Sequence, residues 1–148
     1  MPQIPAHLLT PPATRHVFVY GTLRRGDVRD ITRLQPAPQF VGLASVAGLL
    51  YDLGPYPGLL LGGAGRVVGE VYAISAELER LLDEIEEVWP QQTGEYAKRD
   101  VAVQMDGTLA AAAPVCLVYE INPERLAGCP VITGGDWRQR NLVSRARP

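Results

Sequence analysis

Val17-Phe18-Val19-Tyr20-Gly21-Thr22-Leu23-Arg24-Arg25-Gly26 decides how the chain is to be read. Its first four residues, β-branched and aromatic, make a short strand. Gly21 stops that strand, and the polar run Arg24-Arg25-Gly26-Asp27 carries the chain into a loop. Outward from this stretch, residues 28–34 suit a short helix ended by Pro36 and Pro38, and residues 40–53 read as one long or bulged strand, apolar with interspersed glycine. Gly54-Pro55 and Pro57-Gly58 break it, and Leu59-Leu60-Leu61 opens another strand. Gly62-Gly63-Ala64-Gly65 then reads as a turn, with residues 66–74 returning as a strand. That glycine cluster lacks G-x-G-x-x-G spacing and no helix follows it, so a turn needing positive φ fits better than a nucleotide-binding loop.

Residues 75–88 give the clearest helix. Ser75 suits an N-cap, Glu77 and Glu79 favour the first turns, and Leu78, Leu81, Leu82 and Ile85 form one apolar stripe before Pro90. After a polar loop, Val101, Val103 and Met105 alternate with Asp100, Ala102 and Gln104 as a half-buried strand. Asp106-Gly107 signals a hairpin whose return strand covers residues 109–121, with Pro114 at a bulge or edge. Strand clusters around one helix describe an α+β domain with a largely antiparallel sheet or barrel. Residues 1–14, with four prolines, read as an extended lead-in to a domain over 15–140. Residues 141–148 read as a basic, solvated tail.

The 148 residues suit one domain, and 47% apolar with 20% charged residues excludes wholesale disorder. Gly 15 and Pro 13 argue for many turns and against a helical bundle. A net charge of -2 gives no basic field for nucleic acid or an anionic membrane, and no apolar run is long enough to span one. Without a signal-peptide pattern, a reduced cytoplasm is the expected compartment. Cys116 and Cys129 make no disulfide framework and read as small buried apolar residues, and with His7 and His16 they match no zinc motif, so no metal is expected. The three serines (Ser45, Ser75, Ser144) lie outside any G-x-S-x-G elbow, and neither cysteine has a basic neighbour that would lower its thiol pKa.

Two features are left for chemistry. The strand running into Tyr20-Gly21-Thr22-Leu23 either ends in an ordinary tight turn or aims successive backbone amides into one concavity fit for a carboxylate or oxyanion. The helix carries six carboxylates over residues 77–87 against one Arg80, mostly as a solvated face. At helical spacing Asp83, Glu84 and Glu87 point away from the stripe, whereas Glu86 and Glu79 lie near its border. A border carboxylate, partly desolvated, has the raised pKa that acid/base work needs.

The opening stretch resembles the signature of the γ-glutamylcyclotransferase-like (AIG2-like) family. Further landmarks follow in that family's order: Leu49-Leu50-Tyr51-Asp52-Leu53-Gly54-Pro55-Tyr56-Pro57-Gly58, Gly69-Glu70-Val71-Tyr72, Leu82-Asp83-Glu84-Ile85-Glu86, Tyr96 with Arg99, Tyr119, and Gly134-Gly135-Asp136-Trp137. The resemblance covers roughly residues 17–140. It implies a small α+β fold, a closed, mixed and mostly antiparallel β-barrel with one main helix packed against it. It also implies a cofactor-free enzyme that turns a small γ-glutamyl substrate into 5-oxoproline. In that reading Glu86 is catalytic, and Tyr20, Gly21, Thr22, Leu23 and Tyr119 bind substrate. One departure is that Glu87 stands where the family usually has glycine, which would lengthen the helix or add negative charge beside Glu86. Residues 88–95 suit a pocket rim, with Trp89 packed over the helix end. A non-catalytic module sensing a small carboxylate on the same fold is the alternative.

Overall fold

The computed structural model describes residues 15–107 and 114–140, so the lead-in at 1–14 and the tail at 141–148 lie outside the described residues. Six strands run β1 (Arg15–Val19), β2 (Gln39–Asp52), β3 (Pro57–Ile74), β4 (Tyr96–Ala102), β5 (Gln104–Met105) and β6 (Val115–Ile121), with one α-helix, α1 (Ala76–Ile85), between β3 and β4. They form one sheet in the order β4-β6-β1-β3-β2-β5. Only β1 and β6 pair in parallel; every other neighbour is antiparallel. No helix among the described residues is long and apolar enough to cross a membrane.

The period-two alternation of β1 divides the core. Val17 and Val19 face α1 together with Tyr72, Ile74 and Leu117, and the helix seals them with Leu78 and Leu82. Phe18 and Tyr20 turn the other way, into the concave side with Val46, Leu50, Val71, Val118 and Trp137. Val17, Tyr72 and Leu117 are register partners across three strands, and all are inaccessible to solvent. Truncating Leu82, equally buried, to alanine costs about 2–5 kcal/mol.

Several expectations are corrected. The sheet is not a closed barrel: β4 and β5 are its two edges, joined through the single buried residue Val103, and β5 hydrogen-bonds β2 rather than β4. The sheet curls far enough for one residue to link its edges, but no ladder closes it. For the same reason the run over 100–105 is not one strand, because its partner changes from β6 to β2 at Val103. Residues 62–65 are not a turn between two strands. They bulge from one continuous β3, since Ala47 pairs with Arg66 while the next residue, Gly48, pairs with Leu61. Gly62 and Gly63 reach φ of 103° and 83° there, which L side chains rarely adopt. Residues 28–34 supply only a 3-10 turn over Ile31–Arg33. Ala102 still faces Val115 across the expected Asp106-Gly107 reversal, while residues 109–113 of its return strand lie outside the described residues.

The helix begins as read, with Ser75 Oγ accepting the Leu78 amide at 3.1 Å. It ends at Ile85 rather than Val88. The Glu87 amide donates to Glu84 (3.2 Å) and the Val88 amide to Asp83 (2.9 Å), the paired bonds of a Schellman cap. Glu87 occupies the left-handed position of that cap at φ 56°. It therefore stops the helix in a conformation better suited to glycine, and does not lengthen it.

Candidate active site

The site is built at the end of β1, where the chain leaves the sheet beneath the C-terminus of α1. The carbonyls of Gly21, Thr22 and Leu23 accept the amides of Arg24 (3.0 Å), Arg29 (2.9 Å) and Ile31 (2.9 Å), so the loop folds onto its own oxygen side. The amides of the same three residues donate no hydrogen bond among the described residues. A loop with engaged carbonyls and uncommitted amides is receptive to an anion. Gly21 packs against Pro57 so closely that a Cβ would lie 2.5 Å from the proline Cγ.

Buried charge holds this loop. Arg24 Nε meets Glu70 at 3.0 Å and its NH1 meets Asp136 at 2.8 Å. Glu70 also accepts the Arg25 amide (2.9 Å) and the Tyr72 hydroxyl (2.8 Å). Asp30 accepts from Gly26 (2.9 Å) and twice from Thr32 (2.9 and 2.6 Å). Burial alone would raise its pKa, but these hydrogen bonds and the nearby Arg33 leave it lowered. Arg24, Glu70 and Asp136 come from three separate landmark segments, which the fold assembles under one loop.

The cavity is a partly open cleft. It brings together Tyr20, Gly21, Thr22, Leu23, Tyr119 and Glu86, all the site residues expected from the sequence. Tyr20 donates to the Tyr119 carbonyl at 2.6 Å and accepts from the Leu59 amide at 3.4 Å. Burial, and then the charge of Glu86, push its pKa well up. Tyr119 donates its own hydroxyl to Asp83 at 2.7 Å, and burial followed by that bond raises its pKa far above the usual range.

The two border carboxylates separate here. Glu79 is paired with Lys98 (2.6 Å) and Arg15 (3.3 Å) and does not line the cavity, whereas Glu86 does. Burial pushes the Glu86 carboxyl up to about 7; Arg29 pulls it down, and Glu95 and Glu87 push it up. Asp83 corrects the helical-wheel reading. It is buried rather than solvated, because Tyr119 and Lys98 (3.0 Å) reach it from β6 and β4. Trp89, at the end of the helix, is 55% exposed. Of the rim at 88–95, only Glu95 lines the cavity. Cys116 is buried with its thiol pushed up to about 11 by burial, while Cys129 is half-buried. Among the described residues no group of three or more His, Cys, Asp or Glu is gathered as a metal site would need.

Sequence reasoning gave no site role to the lining residues Arg29, Tyr56, Pro57 and Tyr96, and reached Glu95 only as the end of the loop read as a pocket rim. Tyr56, Pro57 and Tyr96 lay inside the landmark segments and were findable there. Arg29 fell in the stretch read as a short helix, and the fold turns it to the cavity.

The family model described as "Gamma-glutamyl cyclotransferase, AIG2-like" matches residues 17–139. A Niallia circulans protein named "Gamma-L-glutamyl-butirosin B gamma-glutamyl cyclotransferase" is 44% identical over 73 residues, 49% of this chain and 46% of that protein, so the match spans about half of that relative's length. A Vibrio cholerae protein is 38% identical over 126 residues, covering 84% of this chain and 96% of its own. Among solved structures, the mouse AIG2-like protein superposes with a TM-score of 0.62 at 30% identity, over 76% of this chain and 82% of that one. The chain belongs to the γ-glutamyl cyclotransferase, AIG2-like family.

Proposed function

We propose that the chain is an enzyme that cyclises a γ-glutamyl amide to 5-oxoproline and releases an amine or amino acid, with Glu86 as general acid and base. The observation that supports this reading is that two unlike groups line one cavity. The amides of residues 21–23 donate no hydrogen bond among the described residues, and Glu86, the C-cap of α1, lines the same cavity.

The chemistry follows from those groups. The substrate's α-ammonium gives a proton to Glu86, and the freed amine attacks the γ-carbonyl carbon. The bond from that carbon to the amide nitrogen breaks as the ring C–N bond closes; Glu86 passes its proton to the departing nitrogen and then carries the ring nitrogen's second proton to the released amine, which leaves as an ammonium. Atoms balance without water or cofactor. Amine and carbonyl belong to one molecule, so folding the substrate supplies much of the rate. The amides of residues 21–23 hold the substrate's carboxylate or the oxyanion that develops at the carbonyl. A carboxyl poised near pH 7 is suited to both transfers.

The test is release of 5-oxoproline from γ-glutamyl amino acids, γ-glutamyl amines and γ-glutamyl-ε-lysine, by the wild type and Glu86→Gln. Product from one compound, lost in a variant that melts normally, is the expected result. Equal turnover by the variant overturns the role of Glu86. Binding without product in both proteins favours the non-catalytic module.

A further inference from the structure

Asp83 is a buried carboxylate on α1, three residues before Glu86, to which the proposed reaction gives no task. Each of its oxygens is engaged: Oδ1 accepts the Tyr119 hydroxyl at 2.7 Å, and Oδ2 accepts the Lys98 ammonium at 3.0 Å. Lys98 is shared with Glu79 at 2.6 Å, and Arg15 ties Glu79 (3.3 Å) to Asp100 (3.0 Å). Asp83 is thus the inner end of a charge network that runs through β1 and β4 to the exposed Asp100.

Tyr119 carries that network to the cavity. It lines the cavity together with Glu86, and its main-chain carbonyl accepts the Tyr20 hydroxyl at 2.6 Å. The charge of Glu86 also reaches its phenol. A phenol has one proton to give and lone pairs to receive with, whereas a carboxylate only accepts. Asp83 therefore sets the polarity of Tyr119. The hydroxyl proton is turned to the helix, and the oxygen keeps only a lone pair for a ligand. The α-ammonium of a γ-glutamyl group has three N–H bonds, of which Glu86 answers one.

We propose that Asp83 is a positioning residue: it locks the Tyr119 hydroxyl as an acceptor for the substrate's α-ammonium, so that the nitrogen is held between Tyr119 and Glu86 before it attacks the γ-carbonyl. The proposal rests on the γ-glutamyl reading of the cavity and adds to it the group that orients the nucleophile.

Lys98 allows that polarity to be reversed at constant shape. The amide of Asp83→Asn has one acceptor end and one donor end. Lys98 claims the oxygen, the NH2 group turns to Tyr119, and the phenol then donates toward the ammonium instead of accepting from it. Adding Lys98→Met frees the amide oxygen for Tyr119 and restores the acceptor. The probes are γ-glutamyl-ethylamide and 5-(ethylamino)-5-oxopentanoate, which differ only in the α-ammonium. Their affinities are measured by calorimetry on the full chain carrying Glu86→Gln, and kcat/KM for 5-oxoproline release with Glu86 in place.

Asp83→Asn is expected to weaken γ-glutamyl-ethylamide by about tenfold while the des-amino compound stays within about twofold, with kcat/KM falling alongside. Lys98→Met in the same chain recovers most of that loss, and Tyr119→Phe reproduces it. A merely structural Asp83 would weaken both compounds together and gain nothing from the second substitution, and either result overturns the proposal. If Asp83→Asn does not fold, Tyr119→Phe decides on the same two compounds, and equal weakening of both again overturns it. Turnover by the wild type without the selective loss defeats this inference and leaves the cyclisation standing. Selective loss in binding, with no 5-oxoproline from the wild type, supports the positioning of the ammonium and removes the chemistry assigned to Glu86. Binding of neither compound overturns the γ-glutamyl reading and this inference with it.

Discussion

Replacing Glu87 by glycine acts on stability and on the candidate active site through one residue. Glu87 holds φ 56° as the left-handed residue of the cap on α1, and its amide donates to Glu84 while Val88 closes onto Asp83. A side chain in that conformation costs about 1–2 kcal/mol, part of which glycine forfeits through its freer unfolded chain. The net expectation for Glu87→Gly is about 1 kcal/mol of stabilisation, because both cap hydrogen bonds survive the change. At about 2.1 cal/mol/K of unfolding entropy per residue, that raises the Tm of a chain this size by about 3 °C. Glu87→Ala is the control, since it removes the same charge but keeps a Cβ in the left-handed region. Urea unfolding of the three proteins side by side measures the difference. If glycine stabilises no more than alanine does, the strain assigned to Glu87 is absent. Either variant also removes a charge that raises the Glu86 pKa, so the lower limb of the pH–rate profile moves to lower pH in both.

Three further outcomes follow from the same contacts. Glu86 has its pKa raised to about 7 from 4.5, so the folded state binds more protons than the unfolded state between those values. Stability therefore falls as pH rises from about 4.5 to about 7, by on the order of 2–3 kcal/mol, and Glu86→Gln flattens that slope and is the more stable protein at pH 8; parallel slopes in the two proteins would refute the assignment. Arg24→Ala strips the buried Glu70 of its guanidinium and costs about 3–5 kcal/mol in urea unfolding, so a loss under 1 kcal/mol would show that the loop does not depend on this pair. Gly21→Ala drives a methyl to within 2.5 Å of Pro57 Cγ, which costs about 1–3 kcal/mol and displaces the loop; calorimetry with a γ-glutamyl ligand should show weakened binding, and wild-type affinity would contradict the close approach.

Local signals were legible where one element carries its own instructions. Ser75, with Leu78 and Leu82 at helical spacing, placed α1 and the face it buries. The β-branched and aromatic run Val17-Phe18-Val19-Tyr20 announced a strand, to which the structure gives a core on each side. Misreadings arose where the partner strand decides. Residues 62–65 look the same in a turn as in a bulge, and β2 makes them a bulge by pairing with β3 on both sides of them. Val103 looks like mid-strand until the chain is seen to change neighbours there.

The site divides along the same line. Spacing along one element was enough to mark the strand that stops at Gly21, the helix that follows β3, and a short list of two border carboxylates. The tertiary structure decided between Glu79 and Glu86 by pairing the first with Lys98 and Arg15 and leaving the second in the cavity. It also buried Asp83 under Tyr119 and turned Arg29 and Glu95 inward. Those outcomes depend on which charges from distant segments arrive beside each carboxylate, and a helical wheel carries no record of residues 98 and 119 on the strands packed against it.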